Sequence, residues 1–254
     1  MAEIVTIPCL RDNYAFLLHD PANGATAVID VPEAAPIQAA LDARGWSLSQ
    51  IWLTHHHPDH IDGVPALQAA TGARVVGAAA DAHRLPPLDQ ALAEDDTITL
   101  GGLEARVLEV SGHTIGHIAF HVAAASAVFT GDSLMALGCG RLFEGSAADM
   151  WPSMLKLRAL PGETIVCSGH EYTQSNARFA LSLDPGNTAL QDRSQRIDAA
   201  RQAGEPTVPS LLEEEKKTNP FLRADDPGFA AALGLSAQDA TAVFAEIRAR
   251  KDRF

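Results

Sequence analysis

Three cysteines in 254 residues are too few, and too widely spaced, for a disulfide framework. Cys9, Cys139 and Cys167 form no Cys-x-x-Cys unit, and their odd number suggests a reducing compartment. Cationic residues are also scarce. The 19 lysines and arginines face 32 aspartates and glutamates, a formal net charge of -13. That balance disfavours a nucleic-acid partner, which demands a basic surface. No apolar run approaches the ~18 residues of a membrane-crossing helix, so no membrane association is expected. The N-terminus, Met1 to Pro8, has no basic stretch leading into an apolar one and hence no secretory signal. A cytoplasmic location is the resulting expectation. Internal repeats and low-complexity tracts are missing too. What is left, 46% hydrophobic and 20% charged residues, is an ordinary globular composition. It suffices for one large domain or two smaller ones.

Against this plain background stands Thr54-His55-His56-His57-Pro58-Asp59-His60, which follows the apolar, strand-like Ile51-Trp52-Leu53. Its order is His-x-His-x-Asp-His. Neutral imidazole and carboxylate are ligands for zinc, iron and manganese. In an extended segment residues two apart share a face, so His55 and His57 are placed to grip one ion from one side. Asp59 and His60 lie past a turn set by Pro58 and are placed to face a second ion. His56 alternates away and reads as a bystander or a support. A solvated loop with no role fits poorly, because the tract is short, follows a strand and carries a carboxylate in register.

A two-ion site needs more ligands than this run supplies. Ser111-Gly112-His113-Thr114-Ile115-Gly116-His117 follows the alternating pattern of Ala105 to Val110. Phe129-Thr130-Gly131-Asp132-Ser133 puts Asp132 at a strand's carboxyl end, where α/β folds place functional groups. Ile165-Val166-Cys167-Ser168-Gly169-His170 repeats that arrangement with histidine. Each segment alone is a common turn; the three together, each with a polar residue beside glycine, point to a site.

Together these segments resemble the metallo-β-lactamase superfamily, and within it the hydroxyacylglutathione hydrolase (glyoxalase II) family. The resemblance runs along nearly the whole chain. It takes in Ile7-Pro8-Cys9-Leu10-Arg11-Asp12-Asn13-Tyr14 and Gly138-Cys139-Gly140-Arg141-Leu142-Phe143-Glu144-Gly145. It continues through Gly169-His170-Glu171-Tyr172-Thr173, Thr218-Asn219-Pro220-Phe221-Leu222-Arg223 and the basic tail around Arg248 and Lys251. The resemblance implies that His55, His57 and His113 hold one divalent ion and that Asp59, His60 and His170 hold the other. Asp132 would bridge them. Zn2+ is the expected metal, with Fe or Mn as alternatives. Asp59 and Asp132 are the expected catalytic carboxylates. Arg141, Phe143, Tyr172, Arg248 and Lys251 are the expected substrate-binding residues. His113 is preferred to His117 because the family's ligand directly precedes threonine. Periodicity agrees, since His117, Ala119 and His121 share one strand face, away from Ile118, Phe120 and Val122. His19 and His83 lack such a context and read as surface residues.

The first ~170 residues alternate short apolar strands with helical segments. Strands are expected at 4–8, 14–19, 27–29, 50–53, 74–76, 98–100, 103–110, 118–122, 128–130 and 163–166. Helices are expected at 33–44 and 61–70, and over 146–160 with Ser146 as its cap. After Tyr172 no strand pattern remains, and 176–183, 187–203, 210–217 and 236–250 read as helices. The expected fold class is therefore α+β. Residues 1–172 would form the αββα sandwich of two mixed sheets with outer helices that the superfamily has. Residues 173–254 would form an all-helical substrate-binding region.

The implied activity is hydrolysis of S-acylglutathione thioesters, S-D-lactoylglutathione to D-lactate and glutathione above all, as in methylglyoxal detoxification. Two metals lower the pKa of a water and supply the nucleophile, so no serine or cysteine nucleophile is needed. Cys139 and Cys167 read as packing residues. The partner is a small-molecule glutathione thioester, and no obligate protein partner is inferred. The rival readings are a lactonase, β-lactamase or persulfide dioxygenase on the same fold, and a catalytically silent, metal-stabilised binding module.

Overall fold

The computed structural model describes residues 2–254. Its first sheet is built in chain order from β1 (Glu3–Cys9), β2 (Asn13–Asp20), β3 (Ala25–Ile29), β4 (Leu48–Trp52), β5 (Arg74–Ala78) and β6 (Gln90–Leu92). The β1–β2 and β2–β3 pairs are antiparallel, and β3 to β6 run parallel, so the sheet is mixed. Helices α1 (Ala34–Arg44), α2 (Pro58–Ile61) and α3 (Val64–Thr71) lie in the connections between its strands. The helix expected from Ile61 begins only at Val64, since Ile61 ends α2 and Gly63, the cap of α3, lies where a Cβ would meet Val31 and Ala34 at 2.7 and 2.8 Å.

The second sheet draws on β7 (Thr97–Leu100), β8 (Leu103–Glu109), β9 (Ile118–Val122) and β10 (Ala127–Gly131). The chain then makes a small hairpin, β11 (Leu134–Met135) and β12 (Gly138–Cys139), before α4 (Ala147–Arg158) and β13 (Ile165–Ser168). The carboxylate of Asp149 accepts from the backbone and hydroxyl of Ser146 and closes the first turn of α4. Strand β13 runs parallel to β10, and the other pairs in this sheet are antiparallel.

Period-two alternation creates the layers. Phe16, Leu18, Ile29, Trp52 and Val76 of the first sheet meet Val107, Phe120 and Phe129 of the second in one buried cluster. Their alternates, Leu17, Val28, Ile51 and Val75, face the other way, onto Ile37 and Leu41 of α1 and Leu67 of α3. Each such side chain contributes about 1.5–3 kcal/mol by leaving water. The far face of the second sheet, with Leu108, Val128 and Val166, packs on Met150 and Met154 of α4. The result is an αββα sandwich.

Beyond it lie α5 (Thr173–Leu183), α6 (Thr188–Gln202), β14 (Ser210–Leu211), α7 (Leu212–Thr218), a 3-10 turn at Pro220–Leu222, α8 (Pro227–Ala232) and α9 (Ala240–Arg253). This region is helical but not wholly so. Strand β14 pairs antiparallel with β13, Val166 opposite Ser210, and extends the second sheet by one strand. Two residues are too few to show alternation in sequence. Phe221, Phe244 and Ile247 join the cluster around α4, so the helices share a core with the sandwich.

One histidine departs from expectation. His83 is exposed, but His19 is buried: its Nδ1 lies 2.9 Å from Thr26 Oγ1, and its ring stacks on Trp46 at 3.9 Å. It sits on β2, which is flanked by β1 and β3.

Candidate metal centre

The polar residues singled out in sequence leave the carboxyl ends of strands. His55 and His57 follow β4, His113 follows β8, Asp132 follows β10 and His170 follows β13. Pro58 starts the short helix α2, which turns the chain so that Asp59 and His60 reach His170. Glycine permits the close approach. Gly131 has φ +48°, and a Cβ there would sit 2.4 Å from Thr54 Oγ1. A Cβ on Gly169 would sit 2.6 Å from His60 Cε1 and 2.7 Å from Asp132 Oδ1.

Donor atoms converge in three groups: one trio of His55, His57 and His113, a second of Asp59, His60 and His170, and a third group of Asp30, His55 and His60 that takes one histidine from each. In the first, His57 Nδ1 lies 3.1 Å from His55 Nε2 and 3.0 Å from His113 Nε2. In the second, His60 Nε2 and His170 Nε2 are 3.4 Å apart, and Asp59 Oδ2 is 3.4 Å from His170 Nε2. Asp132 lies between the trios. Its Oδ1 is 3.4 Å from His60 Nε2, and its Oδ2 is 3.2 Å from His170 Nε2 and 3.5 Å from His113 Nε2. Asp132 Oδ1 is buried without a hydrogen-bond donor. Buried lone pairs converging without protons to share are costly unless a cation collects them. Nitrogen and carboxylate donors suit divalent zinc, iron or manganese, so these residues fit a pair of divalent ions.

Outer partners aim the rings. His60 Nδ1 faces Asp30 Oδ2 at 2.8 Å, His113 Nδ1 faces the Arg141 carbonyl at 2.7 Å, and His170 Nδ1 faces Asp12 Oδ1 at 3.1 Å. Thr54 Oγ1 donates to Asp30 Oδ2, which leaves it to accept from His55 Nδ1 at 3.0 Å. In all four rings Nδ1 is taken by an outer partner, which leaves Nε2 facing the centre. His117 differs, since both its nitrogens are used. Nε2 accepts from the Asp132 backbone at 3.1 Å, and Nδ1 faces the Ile118 carbonyl. Its ring stacks on His55 at 4.6 Å and braces it from behind. His56 turns outward, to Asp81 at 3.0 Å and Glu144 at 3.5 Å.

The electrostatics differ between the trios: burial opposes charge on His60 and His170, but Asp132 outweighs it and raises both above the usual imidazole value. Burial, with repulsion from His60 and His117, pushes His55 well below the usual imidazole value, so it is neutral. Burial and the neighbouring His113 and His56 bring His57 down to about 4. Burial also opposes charge on Asp132, but His170 and His60 outweigh it and hold the carboxyl well below its usual range. Asp132 is therefore an anion at neutral pH.

A cavity of about 500 Å³ opens above the trios. His57, Asp59, His113, Asp132 and His170 form its floor, and Arg141, Phe143, Tyr172, Arg248 and Lys251 are in its wall. Tyr172 stacks on His170 at 4.6 Å. Phe143 is 61% exposed, which excludes a core role, and its ring lies 5.3 Å from His113 and 5.6 Å from His57. Arg248 is buried, donates to the Cys139 carbonyl at 3.0 Å and to Asp252 at 2.9 Å, and leaves Nε without an acceptor. Lys251 Nζ lies 3.4 Å from Ser175, and burial, with Arg248 and Arg178 nearby, lowers its pKa to about 8. The Cys139 thiol in the same wall is pushed up to about 11 by burial and is no nucleophile.

Sequence reasoning missed the aiming residues. Asp30 had a signal, since it follows β3 as Asp132 follows β10. Its φ of +57° turns the carboxylate towards Thr54 and His60. Asp12 sits in a turn and Asn13 opens β2, with no local pattern to mark them.

A four-layer αββα sandwich with paired histidine and carboxylate trios at the strand ends defines a metal-dependent protein of the metallo-β-lactamase superfamily. The superfamily's family model matches residues 11–170. The model for the hydroxyacylglutathione hydrolase C-terminus matches residues 171–254. The chain is 69% identical to a hydroxyacylglutathione hydrolase of Jannaschia sp. (strain CCS1), over 99% of this chain and 98% of that one. It is 66% identical to another from Ruegeria pomeroyi, over 99% of each. The B3 metallo-β-lactamase BLEG-1 shares the fold, with a TM-score of 0.68 at 21% identity, over 87% of this chain and 99% of that one. The chain thus belongs to the hydroxyacylglutathione hydrolase family. Lactonase, dioxygenase and silent-module readings are correspondingly disfavoured. Among the described residues, no helix is long and apolar enough to cross a membrane.

Proposed function

We propose that this pocket hydrolyses S-D-lactoylglutathione to D-lactate and glutathione with a pair of Zn2+ ions, in the cytoplasm. The carrying observation is the pair of trios sharing buried Asp132 beneath a wall of cationic and aromatic side chains. The division of labour follows the chain. Residues 1–172 supply His55, His57 and His113 for one ion, Asp59, His60 and His170 for the other, and Asp132 for both. Residues 173–254 supply Arg248 and Lys251 for the substrate's peptide. When bound, the ion pair supplies an acidified water and Lewis acidity towards the thioester carbonyl.

The chain's own groups do the rest. Asp132 turns Oδ2 towards both trios and Oδ1 towards the second, and offsets the positive charge. Asp59, at the pocket surface, accepts a hydrogen bond from the attacking water and orients it. Lys251, and Arg248 through its unpartnered Nε, meet the glutathione carboxylates, while Arg141, Phe143 and Tyr172 line the path of the peptide. The departing thiol has a pKa of about 8.5, so the thiolate leaves without a strong general acid. Phe143 has no hydroxyl and so gives the peptide apolar contact only. Metal analysis beside a thioester assay tests this reading. Two ions per chain and turnover of the glutathione thioester are expected; one tightly held iron with oxygen-consuming activity would reject it.

A further inference from the structure

Three consecutive residues, Asp12 in the turn after β1 and Asn13 and Tyr14 at the start of β2, each reach the second trio or its neighbour. Asp12 Oδ1 faces His170 Nδ1 at 3.1 Å. Asn13 Nδ2 donates to the Asp59 carbonyl and to Asp59 Oδ2, both at 3.0 Å. Tyr14 Oη donates to Glu171 Oε2 at 2.9 Å, one residue past His170. The backbone reinforces the clasp, with Tyr14 N donating to the Gly169 carbonyl and Glu171 N to the Asp12 carbonyl, both at 2.8 Å. The first trio is held by other parts of the chain: His55 rests on Thr54, and His113 on the Arg141 carbonyl.

We propose that the Asp12-Asn13-Tyr14 segment is the positioning device of the second trio, setting that ion's affinity separately from the first. The inference rests on the two-trio reading above. Asp12 fixes the His170 tautomer with Nε2 inward, and its charge raises the ring's basicity. Asp59 is partly exposed on a helix of four residues, so its carboxylate needs an anchor to stay over the floor. The buried amide of Asn13 is that anchor.

The test is a Zn2+ titration of metal-stripped full-length protein by calorimetry, with a competing chelator to resolve two dissociation constants. Asn13→Ala should weaken one constant by about 10–100-fold, the usual effect of losing an outer partner, and leave the other unchanged. Asp12→Asn keeps an acceptor oxygen but loses the charge, and should give a smaller shift of the same constant. In a His57→Ala background Asn13→Ala should weaken the remaining ion; in a His170→Ala background it should not. Joint weakening of both constants, or of neither, would overturn the proposal, because a segment that merely supports the fold acts on both. A wild-type protein that takes a single ion would overturn the two-trio reading and this inference with it, before any variant is made.

Discussion

The floor of the pocket and its wall are held by different kinds of contact. In and beneath the floor, His55, His60, His113, Asp132 and His170 are buried while His57 and Asp59 are half-buried, and each of the four buried histidines has an outer partner that fixes its orientation. In the wall, Arg141 and Phe143 are mostly exposed, the Arg141 guanidinium lies 3.6 Å from Asp252 and 5.8 Å from the Phe143 ring centre, and Lys251 makes two hydrogen bonds of 3.4 Å beside the rings of Phe179 and Phe254. The floor is preorganised, so its groups act where charge develops in the reaction. On the proposed function, the wall meets a peptide that does not react. Contacts equal in the ground and transition states change KM and leave kcat nearly alone.

The largest effect should come from the floor. Asp132→Ala removes the carboxylate shared by both trios, and both ions and the activity should fall by more than about a hundredfold, the upper range for losing an outer partner. Elemental analysis and kcat measured on the same preparation check this. A variant that keeps two ions would sever Asp132 from the pairing.

Next comes Arg248, which is anchored within the wall on the Cys139 carbonyl. Arg248→Ala removes charge-assisted bonds of about 1.5–3 kcal/mol each, so KM should rise tenfold or more. Its cation also rests on Phe221, and thermal unfolding should show a lower midpoint. An unchanged KM would reduce Arg248 to a packing residue.

Lys251 gives a pH test. Its pKa of about 8 means the ammonium is intact at neutral pH and lost as pH rises through that value. The wild-type KM for the glutathione thioester should therefore climb between pH 7 and 9, while kcat should not follow it. Lys251→Arg, whose cation persists, should flatten the climb. A bound carboxylate stabilises the charged lysine, so substrate binding near pH 8 should take up a proton, which calorimetry in two buffers detects.

The smallest effect is a gain. Phe143→Tyr adds one neutral hydrogen bond, about 1 kcal/mol, and should lower KM roughly fivefold. No change would place the peptide backbone beyond reach of the ring.

The same contrast explains what was legible in sequence. His55, His57, Asp59 and His60 stand together because one strand end and one helical turn present them, so their spacing carries the geometry. Asp132 and His170 were visible as strand-end residues beside glycines that have no room for a Cβ. Asp12, Asn13 and Asp30 were not, because each acts only through partners brought in by the fold. The strand alternation made the two sheets readable from β1 through β10 and again at β13, except for the three-residue β6, which was missed. The two-residue strands β11, β12 and β14 and the six-residue helix α8 are too short to carry a period. His19 was misplaced because its burial comes from strands on both sides and from Trp46, not from its own neighbours.

The claim that this floor and wall together make a glutathione thioesterase is tested most directly by competition between substrates. Protein carrying two ions is assayed side by side on S-D-lactoylglutathione, a homoserine lactone and a β-lactam. The account predicts the highest kcat/KM for the glutathione thioester. A lactone preferred tenfold, about 1.4 kcal/mol of transition-state binding, would contradict it.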